Sequence, residues 1–458
     1  MRSRSRFTVA VFVSILAGAS APAQAQLYPF PGRNTSPPVI CTTCALPNRG
    51  LPTAAYKAPL AFVGRYVDSQ STLSVQNRGM RTVRARKIRV APTGRIYIGL
   101  GEAIGGYRLD RFFVSTLRVP MVPASVMGTG EAFSGRSPIE KIARPDSFFY
   151  AEAGQSSWVA DAPDAQVVIG DFDVDDRGYL YVGTKLFGWG VEMERGVAGH
   201  MAFMCQNFED VIGESVVSLR TGGKYYVVIS DAKLPGAAAM LRDVTVPSRP
   251  LFVMTRKGAQ HGILKWAKFD PGSRLAVIGA DGKVRIYDYA DYVKSGIVRE
   301  TIAPPAGKSF TDLTFDERGT LWITESGAAG TSSSLWRLTP TATAATGYVK
   351  QTLDIYGSPF SPERIAVGGG FIAVAGRESI GKVNAMDIRL FRIGTTGIPT
   401  LVDTGGFFRN YYYKAPAGFA GPGPYMGLND LAIITQGGKR YLLHSAMGLG
   451  DVFEITGS

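Results

Sequence analysis

The chain has 458 residues and a net charge of +13, so core burial is not limiting, and its length allows two or three ordinary domains or one large all-β ring. Its basic balance favours anionic surfaces, polysaccharides or membrane head groups over acidic partners. With only three cysteines, Cys41, Cys44 and Cys205, it is not a disulfide scaffold.

Arg2, Arg4 and Arg6 precede an apolar run from Phe7 to Gly18 and small residues ending in Ala23-Gln24-Ala25. This pattern predicts a secretory leader over 1–25, cut before Gln26, and a periplasmic or secreted location. The run is too short to span a bilayer, and no other stretch reaches about eighteen uninterrupted apolar residues, so no transmembrane segment is expected in the mature chain. Export argues against a nucleic-acid partner. Residues 26–60 carry Pro29, Pro31, Pro37, Pro38, Pro47, Pro52 and Pro59 and read as an extended arm, either a strap along the fold or a partner-binding tail. Within it Cys41 and Cys44 form CTTC, read as a local bridge or a metal site; no His follows to support haem attachment, and no βαβ pattern supports a redox motif. Asn34-Thr35-Ser36 is a sequon that matters only if the source glycosylates exported proteins.

From residue 61 onward one pattern recurs: an alternating apolar strand, a turn rich in Gly and Asp, and a second alternating strand. The seven copies are IRVAPTGRIYIG (Ile88 to Gly99), FDVDDRGYLYVG (Phe172 to Gly183), VVSLRTGGKYYVVIS (Val216 to Ser230), AKFDPGSRLAVIG (Ala267 to Gly279), LTFDERGTLWIT (Leu313 to Thr324), IAVGGGFIAVAG (Ile365 to Gly376) and LAIITQGGKRYLLH (Leu431 to His444). Each predicts a hairpin, because period-two strands flank a turn whose Gly accepts φ > 0 and whose Asp can bond nearby backbone. Third strands follow at KVRIYDY, SLWRL, DIRLFRI and DVFEI. From Val216 the copies recur about every fifty residues until the last, a spacing that predicts propeller blades. The expected fold is therefore all-β, a single β-propeller of about seven four-stranded blades over 61–458. The last blade lacks a fourth strand, which AFVGRYV (Ala61 to Val67) is expected to supply, closing the ring. Two long loops, Pro145 to Trp158 and Phe407 to Gly427, interrupt the pattern.

DVDDRGYLYVG and TFDERGTLWIT resemble strand pairs of the NHL and SMP-30/gluconolactonase-like propellers. The resemblance covers most of residues 81–458 and implies architecture, since such propellers host lactonases, lyases, sensors and interaction scaffolds. In the SMP-30-like lactonases a metal at the central channel polarises the lactone carbonyl, and the resemblance implies the same here. The Asn-Gly run and early metal-ligand Glu of that family are not recognisable in this chain.

Superposing the copies on their turns places Lys87, Asp171, Ser215, Trp266, Asp312, Arg364 and Asp430 where the innermost strands enter the channel, with Glu214, Glu363 and Asn429 beside them. Asp171, Asp312, Asn429 and Asp430 form a candidate oxygen-ligand set for Ca²⁺ or another divalent cation. The alternative is that each Asp bonds the backbone of a neighbouring blade. Asp171, Asp312 and Asp430 are also the candidate catalytic acids or bases, and Lys87, Arg364 and Trp266 the candidate ligand contacts. Asp171-x-Asp173-x-Asp175-Asp176 imitates part of a calcium loop but lacks its Gly and Glu; Asp175 aligns with Asp270 and Asp316 and reads as turn chemistry.

Of the three histidines, His444 ends an apolar strand and is expected to be packed, while His261, in the loop KGAQHG, is the better catalytic candidate. His200, Met201, Met204 and Cys205 are soft ligands that could hold copper if the segment were helical, and buried residues otherwise. The basic stretch from Arg78 to Arg89 is either a solvated edge or an anion-binding patch. Tyr411, Tyr412, Tyr413 and Tyr425 in one long loop, and Phe148, Phe149, Tyr150 and Trp158 in the other, would suit a sugar polymer or protein partner, or would pin the loops. GLGEAIGG misses the nucleotide-loop spacing, and no GxSxG or HExxH motif occurs. These features predict an exported propeller that binds an anionic polysaccharide or an envelope or extracellular protein through one face of the ring. The alternative is a metal-dependent lactonase-like hydrolase or polysaccharide lyase acting at the channel mouth.

Overall fold

The computed structural model describes residues 60–67, 72–75, 79–92, 94, 96–104, 108–117, 139–142, 169–184, 188–192, 202–203, 215–232, 236–246, 251–327, 332–342, 347–356, 360–380, 383–403, 428–446 and 449–456. The leader, nearly all of the arm with Cys41 and Cys44, His200, Met201, Met204 and Cys205, and both aromatic loops with Tyr411, Tyr412 and Tyr413 lie outside these residues.

The described strands form seven antiparallel sheets, six of four strands and one of five. Each is a blade. The innermost strands are, in chain order, Gly79–Val90, Ile169–Val174, Ser215–Thr221, Ile263–Phe269, Lys308–Phe315, Phe360–Gly368 and Leu428–Gln436, and these define blades one to seven. Each inner strand contacts the next, and the seventh contacts the first, so the seven sheets close into a β-propeller. All seven predicted hairpins form the two inner strands of a blade. In the first blade Thr72–Val75 pairs with the start of the inner strand, which makes the fifth strand. In the seventh, Leu60–Val67 lies antiparallel on Leu449–Ile455 as the outermost strand.

The strands read differently by layer because their surroundings differ. The second strand of the fourth blade, RLAVIG, is buried from Leu275 to Gly279, as expected for a strand covered on both faces. The outermost strand of the fifth, YVKQTL, is buried only at its two ends, and its exposed Lys350 and Gln351 keep the sheet edge polar. The core lies between blades. Leu275, Val277 and Tyr287 pack towards the third blade with Val217 and Val228, while Ala276, Ile278 and Ile286 pack towards the fifth with Leu321 and Ile323. One α-helix occurs among the described residues, Tyr289–Lys294, which buries Tyr289, Tyr292 and Val293 in the first of these seams.

The hairpin turns bear out the reading of Asp175 and Asp316. Asp316 Oδ1 accepts the backbone N–H groups of Arg318 and Thr320, and Oδ2 accepts Trp322 Nε1. Asp175 Oδ1 accepts the N–H groups of Arg177 and Tyr179 in the same way. Gly319 closes the first of these turns at φ +76°, and a Cβ there would lie 2.7 Å from the Phe269 ring of the preceding blade. Asp270 departs from the pattern. It opens the short 3-10 turn Asp270–Gly272 and accepts the Tyr289 hydroxyl instead.

Candidate functional site

Six of the seven inner strands carry a bulge at the same height. Pairing with the second strand skips one residue just before Lys87, Asp171, Lys265, Asp312, Arg364 and Asp430. A bulge re-aims the side chains beside it. Here the skipped residues are Arg86, Gly170, Leu264, Thr311, Glu363 and Asn429, and the residue after each lines the centre of the ring. In the third blade Ser215 begins the inner strand and lines the same space.

The result is a cavity of about 830 Å³ to which all seven blades contribute. Lys87, Asp171, Ser215, Trp266, Asp312, Arg364 and Asp430 all line it, so the predicted convergence is present. The fourth blade corrects one detail. Its post-bulge residue is Lys265, with Trp266 next to it, because the 3-10 turn after Phe269 changes the count back from the turn by one. Arg89, Asp173 and Lys268 also line the cavity and were not singled out as site residues.

The carboxylates are already engaged. Asp171, 2% exposed, accepts Lys87 Nζ at 2.6 Å, Arg89 Nη2 at 2.8 Å and its neighbour Phe172 N–H at 2.9 Å on Oδ1. Its Oδ2 accepts Trp266 Nε1 at 2.8 Å and Val216 N–H at 3.4 Å. Burial alone would raise this carboxyl, but Lys87 and Arg89 outweigh it and hold the group at about 2. Burial pulls Lys87 below the ordinary ammonium value despite the facing carboxylate. Arg89 overcomes its burial through Asp171, Asp430 and Asp173 and stays charged. Its guanidinium bridges Asp171 and Asp430 and stacks 4.9 Å from the Trp266 ring centroid. Asp173 Oδ2 accepts Lys268 Nζ at 2.7 Å, Ser218 Oγ at 2.7 Å and Ser218 N–H at 2.8 Å.

The post-bulge carboxylates also perform a structural task. Asp171, Asp312 and Asp430 each accept the N–H that follows the equivalent position of the next blade, at Val216, Ile365 and Ile88. Each Asp therefore ties its blade to the next around the channel. This occupancy bears on the candidate metal set: a cation at Asp171 would have to displace Lys87, Arg89 and Trp266. Among the described residues no three His, Cys, Asp or Glu side chains are grouped to hold a metal ion. Asn429 is a bulge residue whose side chain lies outside the described set.

Lys265 and Asp312 stand apart from these pairings. Among the described residues Lys265 Nζ has no hydrogen bond or ion pair, and burial lowers it to about 8, with Asp312 opposing and Arg364 and Lys87 assisting. Asp312 is shifted upward by burial, against Lys265 and Arg364. Arg364 Nη1 donates to the Glu363 carbonyl at 2.7 Å and lines the cavity beside them.

The structure does not bring His261 into the cavity. It lies in the loop joining the third and fourth blades, with Nε2 2.9 Å from Gln260 Nε2, and burial with Arg256 and Arg285 nearby lowers its pKa. His444 is fully buried against Phe453, their rings stacked 5.5 Å apart. No helix of the described residues is long and apolar enough to cross a membrane.

No protein-family model matches the chain, nor does any curated protein. Among solved structures it is similar to a catalytically inactive virginiamycin B lyase from Staphylococcus aureus with quinupristin. That likeness has a TM-score of 0.46 and 11% identity and covers 84% of this chain and 98% of that one. Raptor from Chaetomium thermophilum is similar at a TM-score of 0.47 and 9% identity, over 87% of this chain and 29% of that one.

Proposed function

We propose that this propeller is an exported binding protein that takes an anionic glycan, through a carboxylate of its sugar, into the cavity at the centre of the ring. The observation that carries the reading is the charge inventory of the cavity. Five cations line it, Lys87, Arg89, Lys265, Lys268 and Arg364, against four carboxylates, Asp171, Asp173, Asp312 and Asp430. Two of those carboxylates are consumed by Lys87, Arg89 and Lys268, and Lys265 faces the cavity without a hydrogen-bonded counter-charge among the described residues. A cation held partly out of water without a partner is costly, and a ligand carboxylate would supply the partner. The volume, about 830 Å³, is of the size that holds a short oligosaccharide. Binding to a panel of anionic polysaccharides and envelope proteins at low and high salt tests the reading. Salt-sensitive binding of the polysaccharides supports it; uniformly absent binding, or binding indifferent to salt and charge, overturns it.

One observation favours an enzymatic second reading. An amine lowered to about 8 beside a carboxyl shifted upward is the arrangement of a proton-transfer pair. In a polysaccharide lyase Lys265 would take the proton next to a uronate carboxylate that Arg364 neutralises. A metal-dependent lactonase using Ca²⁺ finds less support, since both oxygens of Asp171 are engaged by protein donors. Appearance of an unsaturated uronate product, lost in Lys265→Arg, would favour the lyase; no product from any uronate polymer would remove it.

A further inference from the structure

We propose that Lys265 is a covalent ligand-capturing residue: its amine condenses with the carbonyl group of a small anionic aldehyde or 2-oxo acid held in the central cavity. The proposal rests on the reading of the cavity as an anion site and adds a chemistry to it.

Four observations point to this lysine. The bulge at Leu264 sets Lys265 after it on the wall of the ring's central cavity, at the height of Asp312 and Arg364. Among the described residues its amine makes no hydrogen bond or ion pair, whereas the ammonium groups of Lys87 and Lys268 are each tied to a carboxylate at 2.6 and 2.7 Å. The charged groups that act on it most strongly come from four other blades: Asp312 of the fifth, Arg364 of the sixth, Lys87 of the first and Asp430 of the seventh. Burial and two nearby cations keep part of the amine neutral at physiological pH, which is the condition for attack on a carbonyl. Relative to an ordinary lysine the neutral fraction at pH 7 is about three hundredfold larger.

The chemistry closes without a further reagent. The Lys265 nitrogen lone pair adds to the carbonyl carbon, and the C=O π electrons move to oxygen, which takes a proton to give a carbinolamine. Loss of the hydroxyl as water, with transfer of the remaining N–H proton, leaves the imine; one amine and one carbonyl yield one imine and one water. Asp312 is placed to carry the proton, since burial favours its protonated form and, among the described residues, only its Oδ2 is engaged, by Ile365 N–H at 3.1 Å. Arg364, which lines the cavity beside them, would hold the carboxylate of the same ligand.

The test uses the full chain with glyoxylate as probe and cyanoborohydride to trap any imine, followed by peptide mapping. A glucuronate methyl glycoside, which has no carbonyl to condense, is titrated in parallel. The proposal expects the reductive adduct at Lys265 at least about tenfold above any other lysine, with half-maximal labelling near pH 8. Lys265→Arg should lose the adduct while its chemical denaturation midpoint stays close to that of the wild-type chain, which shows that the variant is folded. Labelling spread over surface lysines with Lys265 unmodified overturns the proposal. If the glycoside still binds, only the covalent step falls; if it does not bind, the anion-site reading falls as well.

Discussion

Lys87 Nζ lies 2.6 Å from Asp171 Oδ1, and this contact, with Arg89 on the same oxygen at 2.8 Å, joins the first blade to the second across the cavity. Removing the buried carboxylate would leave two partly buried cations side by side. Asp171→Ala is therefore expected to cost about 3–5 kcal/mol, read from the chemical denaturation midpoint. The acid limb gives an independent check. A carboxyl held at about 2 in the folded chain, below its ordinary 3.8, stabilises the fold above pH 3.8 and loses that contribution as the pH falls through about 2. Asp171→Asn should flatten the stability–pH curve in that window and leave it unchanged in shape above it.

Lys265 gives a slope of the same sign in a higher pH window. Its folded value near 8 lies below the ordinary 10.5, so the unfolded chain holds more protons between those values and stability should rise with pH across the interval. Anion binding should move the other way and weaken as pH rises through 8, because the ammonium is lost. Lys265→Met should remove both dependences. Thermal denaturation from pH 7 to 10.5 and titration with glucuronate methyl glycoside over the same range check them.

The turn carboxylates carry a third expectation. Asp316 accepts two backbone N–H groups and the buried Trp322 indole, so Asp316→Ala leaves three donors without their acceptor. A loss of about 1–3 kcal/mol is expected, with quenching of the indole environment altered in the fluorescence spectrum.

Gly376 pairs with Pro362, the last residue before the bulge in the sixth blade. A Cβ there would lie 2.3 Å from the Ser361 carbonyl oxygen, a backbone atom that cannot swing aside. Gly376→Ala should therefore cost about 1–3 kcal/mol and reduce anion binding by moving Arg364, measured by denaturation and titration on the same preparation.

Much of this fold is legible because its signals are local. The Asp-x-x-Gly turns at Asp175 and Asp316 declare themselves within one hairpin, and seven such hairpins suffice to suggest the ring. The convergence of Lys87, Asp171, Asp312, Arg364 and Asp430 was legible too, since one offset from the turn serves each of those blades. Lys265 was missed for a physical reason: the turn after Phe269 tightens into Asp270–Gly272, and counting back from it lands on Trp266. The tie of Lys268 to Asp173 and Ser218 joins three blades, and no spacing in the chain records it. Arg89 read only as one charge in a basic stretch, because its two carboxylate partners sit 82 and 341 positions away. His261 drew notice for its chemistry alone, and topology sets it in a connecting loop instead.

The most direct test of the cavity as an anion site is calorimetric titration of a uronate trisaccharide, and of its neutral counterpart, into the wild-type chain and Lys265→Met. The account predicts salt-sensitive binding of the uronate alone, weakened about ten- to a hundredfold in Lys265→Met. Equal affinity for the acidic and neutral sugars, or an affinity unchanged by the substitution, would contradict it.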